Sequence, residues 1–318
     1  VRSQCPDQRE DDLSSPAPLD ATGVFLDIHS YSELILWPWG FTEDEAPNDT
    51  QLQTLGRKFA YFNGYEPDQA MSLYPTDGTT DGLAYGELGL AAYTFELGTS
   101  FFQDCGTFES TILPDNLPAL LYGAKVARTP YMTPAGPDAL GVAVTMPGVV
   151  LGEAVTLTAL LDDARYYDTV ETEPSQAIAA AEYTVDVPPW EDGATSHAMM
   201  AQDGGFDETS EAVQAVLDTT GWSIGRHIVY VRGQDADGNW GAVSAVFLGI
   251  PFACFKVVSA FITGIVGGAL VNITDPAPQT AAAAEQPPAK ERKRCSNCRE
   301  CAHNLVEFAV NDLLYGVW

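Results

Sequence analysis

Along the first 130 residues, apolar positions alternate between short unbroken runs and stretches with helical spacing. Val24-Phe25-Leu26-Asp27-Ile28-His29 reads as a buried strand ending on polar side chains, and Leu34-Ile35-Leu36-Trp37 as a second, halted by Pro38 and Gly40. From Asn48 to Gly64, Leu52, Leu55, Phe59 and Phe62 recur at steps of three and four. That spacing predicts a helix, with capping residues at 48–50 and a stop at Gly64. Residues 90–97 predict a third strand, and 114–127 a second helix with Leu117, Leu120, Leu121 and Ala124 on its apolar side. Alternation of this kind indicates an α/β layer of mixed sheet and helices.

Beyond the Pro-rich run 129–137 the period changes to two. Val142/Val144/Met146, Val155/Leu157/Ala159/Leu161, Tyr183/Val185/Val187 and Val229/Val231 recur with period two, and Gly, Pro, Asp and Asn clusters separate them. About seven short strands within 138–248 predict an all-β sandwich of immunoglobulin or fibronectin-III-like kind. Asp235-Ala-Asp-Gly-Asn239 has calcium-ligand residue types, but its glycine is misplaced for a calcium loop, and a hairpin turn is the preferred reading.

The domain plan is therefore an α/β unit at 1–130, a sandwich at 138–248, an apolar segment at 249–273 and a linker with a basic, Cys-containing tail at 274–318. Residues 246–271 carry one charge, Lys256, and are a candidate membrane anchor, with Gly264 and Gly268 spaced for helix packing in lipid. The competing reading is one more strand followed by a buried turn. In the tail, Cys295, Cys298, Cys301 and His303 offer metal-ligand types at crowded spacing, against incidental cysteines.

Charge narrows the function. Across 318 residues, 15 Lys and Arg stand against 44 Asp and Glu, a net charge of −29. Such a field repels phosphate backbones and excludes nucleic acid as a main partner. Acidity, few lysines and many Tyr, Asn and Gly suit an extracellular protein, either secreted or anchored at the cell surface. The chain begins with Val rather than Met and shows no leader pattern, so it reads as a cleaved or cropped product. Cys5 and Cys105 are candidates for a disulfide whose geometry the sequence does not supply.

Three segments are over-specified for a plain core: Asp27-Ile-His29-Ser-Tyr31 at a strand end, the polar stretch from Leu73-Tyr74 to Asp81, and Tyr93-Thr94-Phe95-Glu96-Leu97 with one acid in an apolar strand. Taken together they resemble the zinc carboxypeptidase family of the carboxypeptidase A/B type. The likeness rests on Ile28-His29-Ser30-Tyr31-Ser32 before a Leu-rich strand and Pro-Trp-Gly, on Thr94-Phe95-Glu96-Leu97, and on the 22-residue step from Tyr74 to Glu96. It covers about residues 1–128, the C-terminal half of such a catalytic domain.

The resemblance implies zinc-dependent removal of C-terminal amino acids from peptides and proteins. It makes His29 a zinc ligand, Glu96 the general base, Tyr74 a group that closes over the substrate, and Ser30 and Tyr31 subsite residues. Asp81 falls where the family sets side-chain preference, and an aspartate there implies Lys or Arg; the alternative is a loop aspartate turned outward, with Gly82 loosening the loop. The family's other two zinc ligands come from His-x-x-Glu, and none of His29, His197, His227 or His303 is followed by Glu at the third position. The expectation is thus an N-terminally truncated enzyme with an incomplete Zn2+ site, inactive alone. The competing class is a non-catalytic extracellular binding or surface protein that keeps half a peptidase fold.

Overall fold

The computed structural model describes residues 6–168 and 173–251. A four-stranded mixed sheet comes first, built from β1 (Val24–His29), β2 (Leu34–Trp37), β3 (Glu66–Gln69) and β4 (Ala91–Glu96) in the order β1-β4-β2-β3. β4 runs parallel to β1 and antiparallel to β2, while β3 is parallel to β2. All six residues of β4 are buried, as expected for a strand paired on both sides and covered on both faces.

Helix α1 (Asp49–Asn63) packs Leu52, Leu55 and Phe59 into the core beneath the sheet, with Phe59 meeting the rings of Tyr93 and Phe95 edge-on. Gly56 lets the helix approach: a Cβ there would stand 3.0 Å from the Trp37 ring. Gly64 ends α1 in the left-handed conformation (φ 71°) and donates to the Ala60 carbonyl, the expected stop. Asn48 does not cap the helix with its side chain. It is buried instead, accepting from Ala17 N–H and Tyr85 OH and donating to the Ala17 carbonyl.

The stretch expected as a loop up to Asp81 turns helical at α2 (Thr80–Leu88). A single turn, α3 (Cys105–Thr107), is capped by the Asp104 side chain and continues through a π-helical turn at Phe108–Ile112 into α4 (Leu113–Val126). α4 carries Pro118 inside it and packs against α1.

Two four-stranded antiparallel sheets follow. One holds β5 (Asp138–Val144), β6 (Ala154–Asp162), β10 (Ser210–Asp218) and β9 (Met200–Ala201); the other holds β12 (Ser244–Ile250), β11 (Gly225–Asp235), β7 (Ile178–Val185) and β8 (His197–Ala198). Leu157, Leu161, Val213, Leu217, Val229, Val231 and Leu248 fill the space between them, so the period-two pattern marks a sandwich core. The 235–239 segment is a turn in which Asp235 accepts from the backbone and side-chain nitrogens of Asn239, leaving that carboxylate engaged without a cation.

The two cores touch within one compact unit ending at Pro251. Ala242 of the sandwich belongs to the core beneath the mixed sheet, and Tyr167 packs against it. Beside Ala242, Gly241 lets the chain pass the Pro137 backbone: a Cβ there would lie 1.8 Å from the Pro137 carbonyl oxygen.

The candidate anchor at 246–271 needs correction at its start, because residues 246–250 are strand β12, hydrogen-bonded to β11. The rest of that segment and the cysteine tail lie outside the described residues, as does Cys5. Among the described residues, no helix is long and apolar enough to cross a membrane.

Candidate active site

One face of the mixed sheet explains why polar residues interrupt apolar strands. In the parallel register of β1 and β4, Leu26 opposes Tyr93 and Ile28 opposes Phe95, while Asp27 opposes Thr94 and His29 opposes Glu96. Because side chains alternate, the first set points toward α1 and α4, and the second set lines the opposite face. The N-terminus of α2 reaches this polar face, where the Thr80 hydroxyl donates to the Asp27 carboxylate.

His29 and Glu96 are 67 positions apart in sequence, yet they close adjacent strands side by side. Nδ1 of His29 is 3.4 Å from Oε2 of Glu96; the imidazole is half-exposed and the carboxylate buried. Oε2 of Glu96 is sealed from solvent and accepts no hydrogen bond. A buried carboxylate oxygen without a donor is costly. Its neighbourhood therefore suits a cation, a bound water or a substrate proton.

Ser30 and Tyr31 leave β1 through a cis peptide, beside Phe101. The Ser30 hydroxyl donates to the Phe101 carbonyl at 3.1 Å, and the exposed Tyr31 ring meets Phe101 edge-on. Tyr74 sits ahead of α2 with 60% of its surface exposed. Asp81 does not turn outward: it occupies the first turn of α2, is 1% exposed, and its Oδ2 has no partner. Gly82 does not loosen this segment, since its N–H donates to the Thr79 side chain that caps the helix.

Sequence reading missed Asp27 and Thr80 as a pair, and the exposed Phe101 and Phe102 next to Ser30. Phe101-Phe102 was readable as an apolar pair in a polar loop; the Asp27–Thr80 bond, 53 residues apart, carried no local signal. Regarding metal, His29 offers an imidazole nitrogen and Glu96 an orphaned oxygen, a donor set suited to zinc or to a water bound on it. Among the described residues, no third His, Cys, Asp or Glu ligand atom joins these two.

A half-exposed imidazole thus faces a sealed carboxylate oxygen that accepts no hydrogen bond, at the ends of two paired strands. The zinc carboxypeptidase family model matches residues 19–116, which span β1 to the start of α4, so this α/β segment belongs to the zinc carboxypeptidase family. A zinc carboxypeptidase of Saccharothrix mutabilis subsp. capreolus is 46% identical over 78 residues, covering 23% of this chain and 18% of that protein. Carboxypeptidase B of Astacus astacus is 37% identical over 102 residues, 29% of this chain and 31% of its own length. Bovine carboxypeptidase B is 33% identical over 87 residues, 25% and 21% of the two chains. The chain thus spans between about a fifth and a third of these relatives. Among solved structures, the PKD domain of an M14-like peptidase from a Thermoplasmatales archaeon aligns with 37% of this chain and 97% of its own, at 14% identity and a TM-score of 0.25.

Proposed function

We propose that residues 19–116 form part of the catalytic centre of a zinc-dependent metallocarboxypeptidase that prefers C-terminal Lys or Arg. The observation that carries this reading is His29 set 3.4 Å from the sealed Oε2 of Glu96, an oxygen that accepts no hydrogen bond. In this role His29 ligates zinc, which when bound supplies a water acidic enough to lose its proton near neutral pH. Glu96 takes up that proton on its buried carboxylate and returns it to the leaving amine. Tyr74, exposed and unencumbered at its ring, closes over the substrate's terminal carboxylate or scissile amide. Ser30 and Tyr31 line the adjoining subsites.

Asp81 supports the basic preference on its own. A carboxylate that is 1% exposed with one oxygen unpartnered is stabilised by a substrate ammonium or guanidinium and by nothing a Phe or Leu side chain offers. The 318 residues contain no His-x-x-Glu, so this reading expects the chain alone to give no zinc-dependent release. The net charge of −29 fits an extracellular setting. The sandwich order β5-β6-β10-β9 facing β12-β11-β7-β8 supports an immunoglobulin-like appendage.

The test is release of C-terminal Arg and Phe from matched peptides by the protein in which this segment is joined to a His-x-x-Glu-bearing half. Glu96→Gln is expected to lower kcat/KM by about 10²–10⁴-fold, the usual contribution of a positioned general base. Asp81→Ile is expected to lower the Arg-over-Phe ratio at least about tenfold. An unchanged rate in the first variant removes Glu96 from the chemistry, and an unchanged ratio in the second removes Asp81 from specificity.

A further inference from the structure

A second cluster of ligand-type side chains lies in the sandwich, remote in sequence from the residues just described. Asp203 and Asp207 come from the loop between β9 and β10, and Glu211 is the second residue of β10. One carboxylate oxygen from each lies within 4.8 Å of the others. Oxygens that close can share a single cation: two ligands at about 2.4 Å from one ion are at most about 4.8 Å apart.

Exposed acids often gather without a ligand, so Asp203 and Asp207 alone say little. Glu211 is different. It alternates with Val213 and Leu217 on the face of β10 that fills the sandwich core, and it is 3% exposed. Its Oε2 is sealed from solvent and accepts no hydrogen bond. None of the three carboxylates forms an ion pair with a Lys, Arg or His among the described residues. An inward-facing acid with no donor, set beside two more carboxylates, raises the energy of the fold unless a cation joins them.

We propose that Asp203, Asp207 and Glu211 bind one Ca2+ and that this ion locks the β9–β10 loop over the end of the sandwich. Three hard oxygen ligands with no nitrogen or sulfur favour calcium over zinc, and a loop carrying Gly204 and Gly205 tolerates calcium's irregular geometry better than the strict octahedron of Mg2+.

Calorimetric titration of the metal-stripped chain with CaCl2 tests this, together with its melting temperature in CaCl2 and in MgCl2 at equal ionic strength. One Ca2+ per chain is expected, with a Kd of about 10⁻⁴–10⁻³ M, as for extracellular modules. In 10 mM CaCl2 a Kd near the middle of that range raises the melting temperature by about 4–8 °C. Glu211→Gln should melt higher than the parent without metal, because a buried unpaired charge is gone, yet lose the calcium increment. Asp207→Asn, at an exposed position that does not threaten folding, should weaken binding at least about tenfold. His29→Ala should keep the full calcium response, which separates this site from the zinc centre. No binding, an equal response to Mg2+, or an undiminished increment in both Glu211→Gln and Asp207→Asn would overturn the proposal.

Discussion

The contact between the mixed sheet and the sandwich rests on buried charge, and Lys58 is the place to test it. Lys58 lies on α1 with no exposed surface, its Nζ 3.5 Å from Oδ2 of Asp138 and 4.1 Å above the centre of the Tyr166 ring. Burial pushes its pKa down, while the Asp138 and Asp163 carboxylates pull it back up. Arg165 shares Asp138, at 2.9 Å, and on the same helix Arg57 reaches Glu173 at 2.6 Å. Substituting Lys58→Met keeps most of the stem's volume and removes the ammonium, so the packing loss is small and the electrostatic loss dominates. Breaking one side of a buried pair costs about 3–5 kcal/mol because the partner is stranded. Here Arg165 still covers Asp138, which reduces the expected cost to about 2–4 kcal/mol. For a unit of roughly 250 residues, each kcal/mol moves the midpoint about 2–4 °C, so calorimetry of the full chain should show a fall of about 4–16 °C. Asp138→Asn and the double variant complete a cycle, with an expected coupling of at least about 1 kcal/mol. A neutral or stabilising Lys58→Met with zero coupling would show that desolvating the ammonium cancels all it gains, and the argument for an electrostatic tie would fail.

Two further outcomes follow from the same contact region. Asp163 is fully buried, and burial raises its pKa to about 7, against weaker opposition from the Gln176 N–H and Lys58. A folded-state carboxyl pKa above the unfolded value means the folded form holds the proton more tightly. Its contribution to stability is therefore complete below about pH 4 and is lost as pH rises toward 7. Asp163→Asn should flatten that part of the stability–pH curve, as measured by urea unfolding at pH 5 and pH 7.5; a slope unchanged by the substitution would assign it to other groups. Gly241→Ala drives a Cβ to 1.8 Å from the Pro137 carbonyl oxygen and 2.5 Å from its carbonyl carbon, both of them backbone atoms. Circular dichroism should show loss of the cooperative melt or a midpoint lower by more than 10 °C, roughly 3 kcal/mol or more, whereas a near-parental melt would mean that the 239–243 segment shifts freely.

What could be read in the sequence follows from how far apart the partners are. The strands at 24–29, 34–37 and 91–96 and the helix at 49–63 carry their signal in local spacing, and all four form. β3 has only Glu66, Pro67, Asp68 and Gln69, with no apolar period to announce it, and it is held by parallel pairing with β2. α2 escaped for a related reason. Its sequence Thr-Asp-Gly-Leu-Ala-Tyr-Gly-Glu-Leu has two glycines and no clear stripe. Those glycines are needed for packing rather than for a turn: a Cβ on Gly86 would press within 3.3 Å of the Trp39 ring, and one on Gly82 would sit 2.8 Å from the capping Thr79 hydroxyl.

Charged residues on apolar faces show a common logic. Glu96 interrupts a strand that is buried throughout, and that interruption, with the family spacing, is what singles it out in the sequence. Lys58 is the same kind of interruption, three residues after Leu55 and four before Phe62, on the face α1 turns inward. Its partner Asp138 lies 80 residues away, in a strand whose period does not reveal it. Glu211 repeats the case in period two, one step before Val213 on the inner face of β10. A charge at an inward position costs too much to stand alone. Each such residue therefore implies a partner: for Lys58 it is the acid on the neighbouring layer, and for Glu96 and Glu211 it is, in the readings we propose, the substrate chemistry and an ion from solution. Helical or strand period identifies the charge that needs a partner, and only the fold identifies the partner.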